Sequence, residues 1–300
     1  MEAALILVKQ VLIMFILALI GFLAFKGKKI TLEGSKTIGN ILIYISLPSV
    51  IIRSFMVERT PERMMGLLIS TALAAGVLAL CIFVSWVFFR KDAIASFAAA
   101  FSNPGFFGIP LIAAVLGEDA VFYIAPYIAF LNMLQWTYGV SLLKGEKTGL
   151  KLKTVFTAPF MIAIIIGLVL FFSGLHLPEI FTSVLSLTAG LNTPLAMFSV
   201  GVYLAQCSFL EMFKKKKLYA VSAVRLLLIP LISLGLMMLI PGLPKDIRCA
   251  VLIAVACPVG SNIAVYAQLH NSDYAYAVET VVISTLFCIA TIPLVVFLAG

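Results

Sequence analysis

A succession of apolar runs, each close to 20 residues and separated by short polar connections, narrows the choice of fold more than any other feature. Ten runs can be traced, at about 4–25, 37–56, 65–89, 93–116, 120–143, 155–174, 182–206, 218–240, 247–269 and 274–298. A helix rises about 1.5 Å per residue and the hydrocarbon layer is about 30 Å thick, so each run has the length of one crossing. Backbone groups in lipid have no water to bond, and a helix satisfies them internally. Hydrophobic residues make up 63% of the chain and charged ones 11%, too few to cover so many runs with a watery surface. The expected fold is an all-α polytopic membrane protein with ten transmembrane helices. Glu2 precedes the first run, Lys9 lies in it and no small-residue cleavage site follows, so it is expected to stay as a helix.

The net charge of +8 does not point to nucleic acid, because the lysines sit in short clusters between apolar runs. They read as topology signals, with some attraction to anionic membrane lipid. Fourteen lysines and arginines fall in the first, third, fifth and seventh connections, against four in the even-numbered ones. The positive-inside rule then puts the odd connections in the cytoplasm and both termini outside a multi-pass cell-membrane protein. The five cysteines show no CxxC spacing, and His176 and His270 stand at run ends without partners. No metal site and no cofactor are expected.

Two runs contain residues that a lipid-facing helix should avoid. "SNPGFFGIP" (102–110) interrupts the fourth run and "ACPVGSN" (256–262) the ninth. Pro104 and Pro258 are 154 residues apart, as are Asp119 and Asp273 in the connections that follow. "SLPS" (46–49) in the second run has a counterpart in "NTPL" (192–195) in the seventh. Five crossings is an odd number, so a second unit of five would be inverted in the membrane. The expected organisation is a first five-helix repeat over 1–143, a cytoplasmic linker over 144–154 and a second, inverted repeat over 155–300. Non-helical backbone is tolerated where it lines a protein-enclosed cavity, and inverted-repeat carriers place substrate where paired broken helices cross. The two exposed half-helix N-termini would carry partial positive charge into one site, which suits an anion such as a carboxylate.

Along nearly its whole length the chain resembles the bacterial branch of the auxin efflux carrier family. The likeness is carried by "SNPGFFGIPL", "NMLQWTYGVSLL", "LAMFSVGVYLA", "VRLLLIP", "ACPVGSNIAVYAQ" and "VVISTLFCIATIPL". The resemblance implies two inverted five-helix repeats, a scaffold domain and an elevator-type transport domain that contains the crossing. It implies transport of organic anions: auxin in plants, dicarboxylates such as malate or malonate in some bacterial relatives. The family's site elements fall on Asn103, Pro104, Gly105, Gly108 and Pro110, and on Pro258 and Gly260. Plant carriers have a lysine shortly after the second break, where this chain has Gln268, and a long loop between the halves, here only about eleven residues. Organic-anion transport, more broadly than auxin transport, is therefore the expectation.

Further candidates follow from the residues. Asn103 and Asn262 can donate to a carboxylate or cap half-helix ends. Ser261 offers a hydroxyl beside the second break. Asn132 and Gln135, three apart on one face, can contact substrate or bond a neighbouring helix. Tyr266 can line the cavity or fill it. Asn192 is read as an interhelical contact. Glu279 is the one acidic residue well inside a run, about 9 Å along the helix from Asp273. It is a candidate for a coupling proton or sodium, or a partner for Arg225. Arg225, two turns from the Lys214–Lys217 cluster, is expected to snorkel to the cytoplasmic face. No HExxH, GxSxG, paired intramembrane aspartates or ATP-binding loop appears, which argues against an enzyme or a pump. A sodium-coupled symporter of the bile-acid type and a non-transporting sensor remain the competing readings, with a homodimer left open.

Overall fold

The computed structural model describes residues 2–145 and 156–299, so most of the expected linker lies outside the described residues. Regular structure among them is helical throughout. In chain order the helices are α1 (Glu2–Lys26), α2 (Leu32–Ser54), α3 (Pro61–Phe89), α4 (Ala93–Ala100), α5 (Pro104–Leu116), α6 (118–144) and α7 (Pro159–Ser173). There follow α8 (Glu179–Gln206), the short α9 (Phe209–Lys214), α10 (Lys216–Met238), α11 (Lys245–Ala256), α12 (Asn262–Leu269) and α13 (Tyr274–Leu298). Among the described residues six helices, α1, α2, α3, α8, α10 and α13, are long and apolar enough to cross a bilayer. The chain is a multi-pass membrane protein.

The helices begin where the sequence carries capping residues. Thr31, Thr60, Asp92 and Asp273 each accept a backbone N–H three residues on, at 2.9–3.2 Å, and start α2, α3, α4 and α13. Pro61 follows Thr60 at the first helical position, where its missing N–H costs nothing.

The helices sort into two layers. α1 lies along α8, and α2 packs on α7 and α8. The α1–α8 contact is glycine-close: a β-carbon on Gly201 would sit 2.0 Å from the Ala18 carbonyl, and one on Gly21 2.5 Å from that of Phe198. The "MFSVG" stretch thus serves helix packing. α2 and α8 are also joined by Thr188 donating to Ser49 Oγ at 2.9 Å. The second layer is a bundle of α3–α6 and α10–α13 around α11, which is fully buried from Ala250 to Ala256. Connections gather at two ends. Arg59 donates to the Phe172 carbonyl at 2.6 Å and Arg63 pairs with Asp119 at 2.7 Å at one end. At the other, Lys217 pairs with Asp92 at 2.6 Å and Ser272 donates to the Leu143 carbonyl at 3.3 Å.

Candidate functional site: the crossing of two broken helices

The fourth and ninth runs are each split. α4 stops at Ala100 and α5 starts at Pro104; α11 stops at Ala256 and α12 starts at Asn262. The intervening segments meet as an antiparallel bridge centred on Ser102 and Val259. Asn103 N–H donates to the Pro258 carbonyl at 3.0 Å, and Gly260 N–H to the Phe101 carbonyl at 2.9 Å. Val259 N–H donates to Ser284 Oγ on α13 at 3.1 Å. Two main-chain donors freed by the breaks are thus satisfied across the junction, and a third by α13. This refines the expectation that the prolines themselves open the helices. Pro104 takes the first position of α5, where no intrahelical donor is needed, and the break lies just before it. Gly260 is required by the close approach: a β-carbon there would stand 2.8 Å from the Ser102 carbonyl.

Arg225 locks the same crossing from behind, and the expectation that it snorkels is overturned. It is wholly buried in a π-helical turn of α10, Val224–Leu228. Nη1 donates to the carbonyls of Ala99 and Ala100 at 2.9 and 3.0 Å, and Nη2 to that of Val255. Those carbonyls end α4 and α11, where unpaired acceptors and the helix dipoles concentrate negative charge. The planar guanidinium fork reaches both ends at once, which offsets part of its desolvation, while its Nε stays buried without a partner. Glu279 does not pair with Arg225 either. Both of its carboxylate oxygens accept from Lys215 Nζ at 2.7 Å, away from the crossing.

On the N-terminal side of the second half-helices lies a cavity of about 30 Å³. Of the sequence candidates it brings together Asn103, Pro104, Gly105, Asn132, Gln135, Gly260, Ser261 and Asn262, with Leu47 of α2 as a wall. The Asn262 amide donates to Gln135 Oε1 at 3.0 Å, while Gln135 Nε2 is buried without a partner. Asn103 Oδ1 caps α5 through Phe106 N–H at 3.4 Å, and the Asn132 amide donates to the Ile128 carbonyl at 2.8 Å. The other candidates lie elsewhere. Gly108 packs against Cys257, with room for a β-carbon only 3.2 Å from Sγ. Pro258 serves the bridge through its carbonyl, and Tyr266 is buried between the rings of Phe97 and Trp136.

Pro110 faces a larger space, a vestibule of about 400 Å³ between the two layers, walled by α2, α5, α8 and the start of α6. Asn192 on α8 links the two spaces. It lines the vestibule while its amide donates to the carbonyl of Gly105, in the crossing cavity, at 2.9 Å; its Oδ1 is buried and unpartnered. Sequence reading placed Asn192 between helices but not at the site.

A helical membrane protein whose interrupted helices meet main chain to main chain beside a vestibule has the build of a membrane transporter. The family model described as "Membrane transport protein" matches residues 6–296, and the chain belongs to that family, the auxin efflux carriers. A protein of Rhizobium meliloti (strain 1021) named "Putative malonate transporter" is 27% identical over 279 residues, covering 87% of this chain and 85% of the relative. An uncharacterized transporter of Methanocaldococcus jannaschii is 25% identical over 307 residues, covering 95% and 96%.

Proposed function

We propose that the protein is a secondary carrier of small organic anions, dicarboxylates of the size of malonate, bound at the crossing. One observation carries the reading: the buried, unpartnered Gln135 amide nitrogen lies in a cavity that also holds the first turns of α5 and α12. A donor without an acceptor, beside two helix N-termini, is complementary to a carboxylate. The malonate named for the Rhizobium relative supports the substrate class. The antiparallel meeting of the breaks and the sorting of the connections to two ends support ten crossings in two inverted repeats. The two layers correspond to a scaffold and a moving bundle in an elevator cycle, and the lysine distribution favours both termini outside the cell membrane. Glu279, as a coupling-ion candidate, would first have to leave Lys215.

The test is uptake of labelled malonate by proteoliposomes containing the purified protein. Gln135→Leu and Asn262→Ala each remove a donor at the crossing. A hydrogen bond to a charged group contributes about 1.5–3 kcal/mol, so affinity should fall about 10- to 150-fold. Uptake that survives both substitutions unchanged refutes a site at the crossing. Uptake that persists when choline replaces sodium separates this carrier from a sodium symporter.

A further inference from the structure

The crossing cavity, at about 30 Å³, holds little more than one water, whereas the vestibule, at about 400 Å³, is of small-molecule size. Of the two spaces joined at Asn192, the vestibule is therefore the one with room for a dicarboxylate in this conformation. Among the described residues Arg53 is the single cationic side chain on its wall. Arg53 forms an ion pair with Glu118, across the gap between α2 and the first turn of α6. The neighbouring Asp119 is held separately by Arg63 at 2.7 Å. The Arg53 and Glu118 side chains are 40% and 62% exposed, so their pair is wet and contributes little stability. A planar guanidinium binds a second carboxylate as readily as the first, in bidentate geometry.

We propose that Arg53 is the entry-binding residue of the carrier: an incoming carboxylate displaces Glu118 from the Arg53 guanidinium, making the vestibule a first station ahead of the crossing. The exchange keeps one ion pair throughout, and Glu118 turns out to solvent. Beyond the station lie the Asn192 amide group and Gly105, which connect vestibule and crossing. The inference rests on the carrier reading above.

The experiment measures malonate uptake kinetics in proteoliposomes for wild type, Arg53→Gln, Arg53→Lys, Glu118→Gln and the swap Arg53→Glu/Glu118→Arg. Arg53→Gln should raise KM about tenfold, the loss of about 1.4 kcal/mol of binding, with kcat largely retained. Arg53→Lys keeps the charge without the fork and should raise KM less. Glu118→Gln removes the competitor and should lower KM. The swap restores the ion pair and keeps one guanidinium on the same wall, because Glu118 also lines the vestibule, so KM should fall back toward wild type. An unchanged KM in Arg53→Gln and Arg53→Lys, or a KM raised by Glu118→Gln, overturns the proposal. Gln135→Leu run alongside separates the two claims. Its loss of uptake beside an unaltered Arg53→Gln sinks the station alone, whereas no uptake of malonate or succinate by wild type sinks the carrier reading and the station with it.

Discussion

Replacing Arg225 by methionine should unfasten the crossing. Methionine fills much of the aliphatic stem but leaves the carbonyls of Ala99, Ala100 and Val255 without their donor. A buried acceptor left unsatisfied costs about 1–3 kcal/mol, so three of them set a gross loss of roughly 3–9 kcal/mol. Against this stands the desolvation of a buried guanidinium, several kcal/mol, which the variant no longer bears. The net destabilisation is roughly 2–5 kcal/mol. At about 2–4 °C per kcal/mol, a scale drawn from soluble domains, Tm should drop on the order of 10 °C. Arg225→Lys keeps the charge but cannot reach both helix ends with one fork, and should fall between. The assay is thermal unfolding of detergent-purified protein, followed by its monodispersity on gel filtration. An Arg225→Met variant with wild-type Tm would refute the argument, because it would mean the guanidinium does not hold the two helix ends.

Gly201→Ala puts a methyl 2.0 Å from the main-chain carbonyl of Ala18, which cannot swing away, so α1 and α8 must part. A Tm loss worth at least about 1–3 kcal/mol is expected, and a wild-type Tm would contradict the packing. Gly260→Ala meets the Ser102 carbonyl at 2.8 Å and should strain the bridge, lowering malonate uptake together with Tm; full uptake would show the approach to be looser. Gln268 is exposed and away from both cavities, so Gln268→Lys should leave the KM for malonate within about threefold, under 1 kcal/mol. A tenfold change would put Gln268 on the substrate path. A single cysteine at Lys28 should be labelled by an impermeant reagent only from the cytoplasmic side, and labelling from outside intact cells would reverse the topology.

What could be read from the chain and what could not divide along a physical line. Helix starts at Thr60, Asp92 and Asp273 are local chemistry, a side-chain oxygen and an N–H three residues on, and local chemistry is written in order along the sequence. The breaks at 101–103 and 257–261 were legible for the same reason, since glycine and proline in an apolar run have few other uses. Arg225 was misread because counting residues to the nearest lysine cluster says how far the side chain is from water, not what lies beside it. Its acceptors come from α4 and α11, about 125 and 30 residues away in sequence. The pairing of Glu279 with Arg225 failed similarly, its actual partner Lys215 being 64 residues distant. The π-helical turns that carry Gln135 and Arg225 have no evident local signal, and tertiary contacts decide where such a turn is tolerated. Gly201 stood in a recognised motif whose meaning, close packing on α1, needed the partner helix in view.

The bridge between Ser102 and Val259 is made of main-chain atoms, which substitutions other than proline at positions 103, 132, 135 and 262 leave in place. Geometry and the proposed recognition at the crossing are thereby carried by different parts of the chain. If the crossing binds the anion as proposed, side chains at 103, 132, 135 and 262 can be exchanged to suit anions of other shapes while the junction that presents them stays joined. A carrier built in that way would be a scaffold for re-specification. Libraries confined to those four positions should yield altered substrate preference among variants that still fold, whereas libraries at 225, 260 or 201 should yield mostly misfolded protein.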